Sequence, residues 1–265
     1  MLTVVSGART DVGLKRTVNE DAILEGPPAW VVADGMGGHA AGDVASRIIV
    51  DTLRDVTASF EGVIRPPDVQ DALERANEAI LAHERIHPGT RGMGSTVAGI
   101  VLTSVGDSAH WAIFNVGDSR VYRCFGGTMS RATVDHSEIE ELVLAGSITE
   151  DEARVHAGRN VLTRSMGSDP APQVDMWVLP QTPGERFVIC SDGLTTELSD
   201  AEIAEVVLGD ASPAAAVDRL LELTLAAGAR DNTSVIVVDV CGDGGSDLDE
   251  ETQPRIVLRS SDGND

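Results

Sequence analysis

Four aspartates stand where an apolar segment meets a turn of glycine or small polar residues: Asp34 in VVADGMGG, Asp118 in FNVGDSR, Asp192 in VICSDGL and Asp231 in GARDNTS. A fifth cluster, RTVNED, sets Arg16, Asn19, Glu20 and Asp21 just ahead of another apolar stretch. One acid at a strand end commonly forms a turn or caps a helix. Repetition of the pattern opens a second reading. Carboxylates gathered at one sheet edge repel strongly unless cations neutralise them, and an unpaired one at the end of a buried strand costs several kcal/mol. Donors that are all oxygen, with neither His nor Cys, favour hard ions such as Mg²⁺ or Mn²⁺ over zinc. Gly35 has no side chain, so its carbonyl can approach an ion closely. On this reading Asp34 bridges two ions, each offsetting the cost of its buried charge.

The elements that must position these groups follow from periodicity. Short apolar strands at 2–5 and 22–24 flank the polar link RTDVGLKRTVNED, and AWVVA at 29–33 reads as a buried strand. Beyond the glycines, Ala41, Val44, Ala45, Ile48, Ile49, Thr52 and Leu53 repeat at helical spacing. A second helix is expected over 67–83, with proline accommodated at its opening. Strand patterns then occupy 96–105, 109–116 and 120–125, separated by GD turns. A polar excursion follows, helical in places. Strands resume at 173–179 and 186–190, helices are expected at 200–208 and 213–227, and a last strand at 234–240. Strands do not alternate regularly with helices, which argues for an α+β layered fold with antiparallel sheets over a doubly wound parallel one.

Bulk properties exclude other classes. The chain has 265 residues, suiting one large domain or two small ones, and 42% hydrophobic residues supply a substantial core. Its net charge of −23 argues against a nucleic-acid surface, because phosphates are repelled. Three scattered cysteines form neither a disulfide framework nor a zinc site. The N-terminal sequence carries no secretory signal pattern and no stretch is apolar enough to span a bilayer, so a soluble cytoplasmic protein is expected.

Together the motifs RTVNED, ADGMGGHAAG, GMGSTV, NVGDSRVYR, TVDHS, RNVLTRSMG, CSDGL and RDNTSVIVV, in that order over roughly residues 10–240, resemble the PPM family of metal-dependent protein Ser/Thr phosphatases, the type 2C-like enzymes in their compact bacterial form. The resemblance implies a phosphatase domain over 1–240: a central sandwich of two antiparallel β-sheets flanked by helices on both outer faces, with a flap at about 136–160. It implies two to three Mn²⁺ or Mg²⁺ ions. Asp34 would be the bridging ligand, and Gly35 would give its carbonyl to the second ion. Asp192 and Asp231 would complete the first ion, Asp118 would hold a third ion shared with Asp192, and Glu20 and Asp21 would stand around the second. Arg16 matches the residue that grips the substrate phosphate. Paired ions yield hydroxide from a bridging water near neutral pH, and that hydroxide would attack phosphorus directly. In keeping with this, neither Cys124 nor Cys190 has an arginine at the spacing of a cysteine phosphatase nucleophile.

The leaving alkoxide needs a proton. His39, three residues after the position where animal relatives carry a histidine, is one candidate donor, and metal-bound water is another. Met36 occupies the position after the DG pair, as bacterial members often have it. In the flap, HAGRN replaces the proline that relatives often carry after the histidine. His136 and Ser137 are expected to be structural, in a turn before a helix. The implied substrates are phosphorylated Ser/Thr proteins, a Ser/Thr protein kinase among them, for a monomer that binds neither nucleic acid nor membrane. Two other classes stay open: a module that binds phosphoproteins without cleaving them, and a phosphatase for small phosphate esters. The segment 241–265, with seven acids against two arginines, is expected to be a disordered tail.

Overall fold

The computed structural model describes residues 2–37, 41–59, 63–149, 152–153, 156, 158, 161–209 and 211–242. Eleven strands among them form two antiparallel sheets. The first sheet runs in the order β1 (Thr3–Asp11), β11 (Thr233–Cys241), β10 (Arg186–Cys190), β7 (Arg120–Phe125) and β8 (Thr128–Arg131). The second runs β2 (Asp21–Leu24), β3 (Ala29–Met36), β5 (Val97–Val105), β6 (Ser108–Val116) and β9 (Asp175–Pro180), with β4 (Gly94–Ser95) paired to the end of β3.

Alternation along the strands decides which residues enter which layer. In β3, Trp30 and Val32 face the other sheet and pack with Ala98, Ile100, Trp111 and Ile113 against Phe187, Ile189, Ile236 and Val238. The intervening Ala29, Val31 and Ala33 face outward onto α1 (Gly42–Ser59) and α2 (Pro66–Ile86), where Ile49, Leu53, Leu73 and Ile80 cover them. On the opposite side, Tyr122, Val188, Val235 and Val237 lie under α4 (Asp192–Glu197), α5 (Asp200–Val207) and α6 (Pro213–Ala227), through Leu194, Ile203, Val217 and Leu220. Three cores therefore stack between four layers, in the order helices, sheet, sheet, helices. This is the α+β sandwich that the sequence implied.

Serines start several of these helices. Ser199 accepts the Glu202 N–H at 3.3 Å, and Ser212 accepts the Ala215 N–H at 3.3 Å ahead of Pro213. Ser137 does the same for the short α3 (Glu138–Leu144) at 3.2 Å. Four features depart from the periodicity. β1 continues to Asp11, well into the segment read as a polar link. β4, β8 and α4 were not anticipated. No helix among the described residues is long and apolar enough to cross a membrane. Most of the 241–265 segment lies outside the described residues, as do parts of the 136–160 excursion.

Candidate metal centre

The alternation that builds the inter-sheet core also builds the site. One step beyond the apolar run, the inward series Trp30, Val32 reaches Asp34. The series Phe187, Ile189 reaches Ser191, and Ile236 leads back to Ser234. Ala98 leads in the same way to Thr96, and Val121 to Ser119. One end of the sandwich is therefore lined with polar groups on its inner face. Asp21 stands directly opposite Asp34 in the β2–β3 ladder, a like-charge pairing that destabilises a sheet unless something neutralises it.

Hydrogen bonds fix this rim. Asp34 N–H donates to Thr96 Oγ1 at 3.2 Å, and Thr96 Oγ1 and Ser119 Oγ lie 2.7 Å apart. Asp34 O accepts both Thr96 N–H (2.9 Å) and Ser95 Oγ (2.9 Å). Ser191 Oγ donates to Asp21 Oδ2 at 2.8 Å and itself accepts Ser234 N–H at 2.9 Å. Asp21 Oδ1 is buried with no hydrogen-bond partner, an acceptor aimed at nothing in the protein.

Glycines bring the remaining groups together. A Cβ on Gly35 would strike the Gly42 backbone and come within 2.5 Å of Glu20 O, whose carbonyl accepts Gly35 N–H at 3.1 Å. A Cβ on Gly42 would lie 2.8 Å from both Gly35 O and Glu20 Oε1. The missing side chain at 42 thus leaves a cradle faced by two oxygens. Gly193, after Asp192, packs on the Asn232 carbonyl so closely that no Cβ fits, which places the Asp192 turn against the Asp231 turn. Asn232 closes the assembly. Its Nδ2 donates to Val12 O and Val18 O, both at 3.0 Å, and its Oδ1 accepts Glu20 N–H at 2.9 Å.

The electrostatics report how close the acids are. Loss of water, then the charges of Asp21, Asp192, Asp118 and Asp231, push Asp34 well above the usual carboxylate range. Asp118 is raised by desolvation and by Asp192 and Asp135, against a lowering by Arg120. Desolvation and Asp231 raise Asp192, partly offset by its closeness to Asp34 and by the charges of Arg16 and Arg120. Desolvation takes Asp21 up to about 7, with hydrogen bonds from Ser234 and Ser191 opposing it and Asp192 and Asp231 adding to it. Arg16 sits beside this group: its Nη2 donates to Asp231 Oδ2 at 2.8 Å and its Nη1 to Glu20 Oε2 at 3.5 Å, with 46% of the side chain exposed.

The structure therefore brings Arg16, Glu20, Asp21, Asp34, Gly35, Asp118, Asp192 and Asp231 to one end of the sandwich. His39 lies outside the described residues. The groups suit hard divalent ions: all donors are oxygens, one buried acceptor is orphaned, and a cradle is kept open by glycine. Among the described residues no three His, Cys, Asp or Glu side chains form a closed ligand set. Sequence reasoning missed Gly42, Gly193, Asn232 and Ser191. All four lie inside the family motifs, but only the close approach of segments distant along the chain shows what they do.

Comparison with known proteins agrees with this geometry. The family model for protein phosphatase 2C matches residues 15–232. The chain is 35% identical over 234 residues to the serine/threonine protein phosphatase PstP of Mycobacterium tuberculosis, covering 88% of this chain and 44% of that protein, so it spans less than half the length of that relative. It is 32% identical over 240 residues to the serine/threonine phosphatase stp of Listeria innocua, covering 87% of this chain and 94% of that one. The crystal structure of the PstP catalytic domain in complex with two manganese ions superimposes with a TM-score of 0.82 at 33% identity, covering 91% of this chain and all of that one.

Proposed function

The chain belongs to the protein phosphatase 2C family of metal-dependent Ser/Thr protein phosphatases, and on that premise we propose that it hydrolyses phosphoserine and phosphothreonine in proteins at the centre around Asp34. The observation that carries this is the convergence of Asp21, Asp34, Asp118 and Asp192 at one end of the sandwich, each raised first by burial and then by its neighbours' charges, beside the guanidinium of Arg16. Asp34 would be the ligand shared by two ions. Asp192 and Asp231 would complete the first, and Gly35 O with Glu20 and Asp21 would surround the second. Asp118 and Asp192 would hold a third. Bound there, such ions supply water activation near neutral pH and neutralise phosphoryl charge.

The chain's own groups do the rest. Asp231 and Glu20 hold the Arg16 fork at the cleft, where exchanging one of these partners for a phosphate oxygen orients the ester. The proton for the leaving alkoxide comes from His39 or from solvent. Residues 1–240 act as one phosphatase domain with the 136–160 excursion as its flap. Its substrates are phosphorylated Ser/Thr proteins, a Ser/Thr kinase among them, met by a cytoplasmic monomer. Three free thiols, Cys124, Cys190 and Cys241, suit a reducing compartment.

The test is phosphate release from a phosphothreonine peptide and from a small phosphomonoester, with Mn²⁺, with EDTA, and with Asp34→Asn in Mn²⁺. Turnover of the peptide by wild type with metal only is the expected result. Preference for the small ester would favour the small-molecule reading. Binding of the phosphopeptide without release by folded, metal-loaded protein would favour the binding module.

A further inference from the structure

We propose that His136, backed by Asp175 and Arg164, is a positioning residue for the Asp118 turn and so sets the affinity of the ion that Asp118 holds. The inference rests on the reading of Asp118 as a metal ligand given above. Gly117, the residue before Asp118, has a φ of +103°, and a Cβ there would lie 2.6 Å from the Thr96 side chain. The turn is thus confined to a conformation that suits glycine, and its buried backbone groups need partners. One residue supplies a partner to each. Gly117 N–H donates to His136 Nδ1 at 3.1 Å, and Gly117 O accepts His136 N–H at 2.9 Å. Asn115 Nδ2 also donates to that carbonyl, at 3.1 Å. Since the Gly117 C=O belongs to the peptide that ends in Asp118 N, its direction sets the entry of the chain into the ligand.

The imidazole is itself held. A backbone N–H can only donate, so Nδ1 is the acceptor and the neutral ring carries its proton on Nε2. Nε2 faces Asp175 Oδ2 at 3.1 Å, and Asp175 Oδ1 accepts Arg164 Nη1 at 2.7 Å. The ring is buried, with 5% of the residue exposed, so it is sequestered from solvent while its edge holds the peptide. Its own carbonyl accepts Thr163 N–H at 2.9 Å. The return of the excursion after residue 160 is thereby fastened to the residue that fastens the Asp118 turn. Groups that orient a metal ligand are worth about 10- to 100-fold in metal affinity.

The experiment is Mn²⁺ titration by calorimetry of the metal-stripped full chain, as wild type, His136→Ala, His136→Asn, Asp175→Asn and Asp118→Ala, with kcat and KM on a phosphothreonine peptide alongside. His136→Ala is expected to weaken the weakest Mn²⁺ step about 10- to 100-fold, in the direction of Asp118→Ala, with the tighter steps unchanged. In His136→Asn the amide oxygen replaces Nδ1 as acceptor, and the affinity is expected to return to within about threefold of wild type. Asp175→Asn is expected to give a smaller loss in the same step, and it carries the test should His136→Ala fail to fold. An unaltered isotherm for His136→Ala, or for Asp175→Asn where the alanine variant is unfolded, overturns the proposal. So does parallel loss of every Mn²⁺ step. A wild type that takes up no Mn²⁺ and cleaves no peptide overturns both the proposal and the function it rests on, whereas an active wild type with indifferent variants overturns the proposal alone.

Discussion

Loss of water raises Asp34 well above its ordinary range, and four other carboxylates add to the rise. Without ions the residue works against the fold, and that conflict gives a test. Asp34→Asn removes a buried, repelled charge, so the metal-free variant is expected to be more stable than metal-free wild type at neutral pH. The same change is expected to lower Mn²⁺-dependent phosphate release at least about 100-fold. Thermal melts in EDTA and in Mn²⁺ separate the two effects: Mn²⁺ should raise the melting temperature of wild type far more than that of the variant. An equal rise in both would remove Asp34 from the centre. A second residue-scale prediction concerns Gly193. Alanine there collides with the Asn232 carbonyl, so Gly193→Ala is expected to cost about 1–3 kcal/mol in urea unfolding and to weaken Mn²⁺ binding by pushing Asp192 from Asp231. The acids were legible in sequence because a charge after an apolar run is conspicuous. Gly42, Gly193 and Asn232 were not legible as parts of the site, since their work is done against backbone that is distant along the chain, Asn232 reaching Val12 and Glu20.

At the scale of elements, long strands and helices were readable because each has a face to bury, and the alternation in β3 or the helical repeat in α1 records it. The unread ones lack such a record. β8 is four residues, TMSR, on a sheet edge, and α4 is six residues, too short for a helical period to declare itself. Between elements, Asp175 at the start of β9 ties the sheet to the excursion through His136 and Arg164. Burial alone would raise Asp175, but those two hydrogen bonds outweigh it and hold its carboxyl below its ordinary value. A depressed acid stabilises the fold fully above its unfolded value, about 3.9 for Asp, and the contribution is lost as pH falls through the lower folded value. Asp175→Asn is therefore expected to be less stable than wild type at pH 7, by about 1–2 kcal/mol, and the gap should be narrower at about pH 3, below the unfolded value. Urea midpoints at the two pH values check this; a gap that stays as wide in acid would mean the asparagine disturbs packing, with the ion pairs contributing little.

The whole molecule carries a charge of −23, so the site works inside a strongly negative field. That field draws divalent cations toward the cleft and opposes the approach of a phosphorylated segment, whose phosphate carries about −1.5 to −2 at neutral pH. Local and global electrostatics thus have opposite signs for the substrate: Arg16 and the ions attract the phosphate over a few ångströms, while the surface repels it at longer range. Salt distinguishes them, because the screening length falls from about 30 Å at 0.01 M to about 8 Å at 0.15 M. Contacts within the cleft survive that change and the long-range field does not. For a phosphothreonine peptide with acidic flanks, KM is expected to fall several-fold as salt rises over this range. With basic flanks it should rise, and kcat should stay constant for both. Apparent Mn²⁺ affinity should weaken with salt as well, so the assay must be run with saturating metal. Opposite salt slopes for the two peptides would show the surface selecting basic phosphosites. Parallel slopes would place selection within reach of Arg16, and the charge of the molecule would then serve solubility alone.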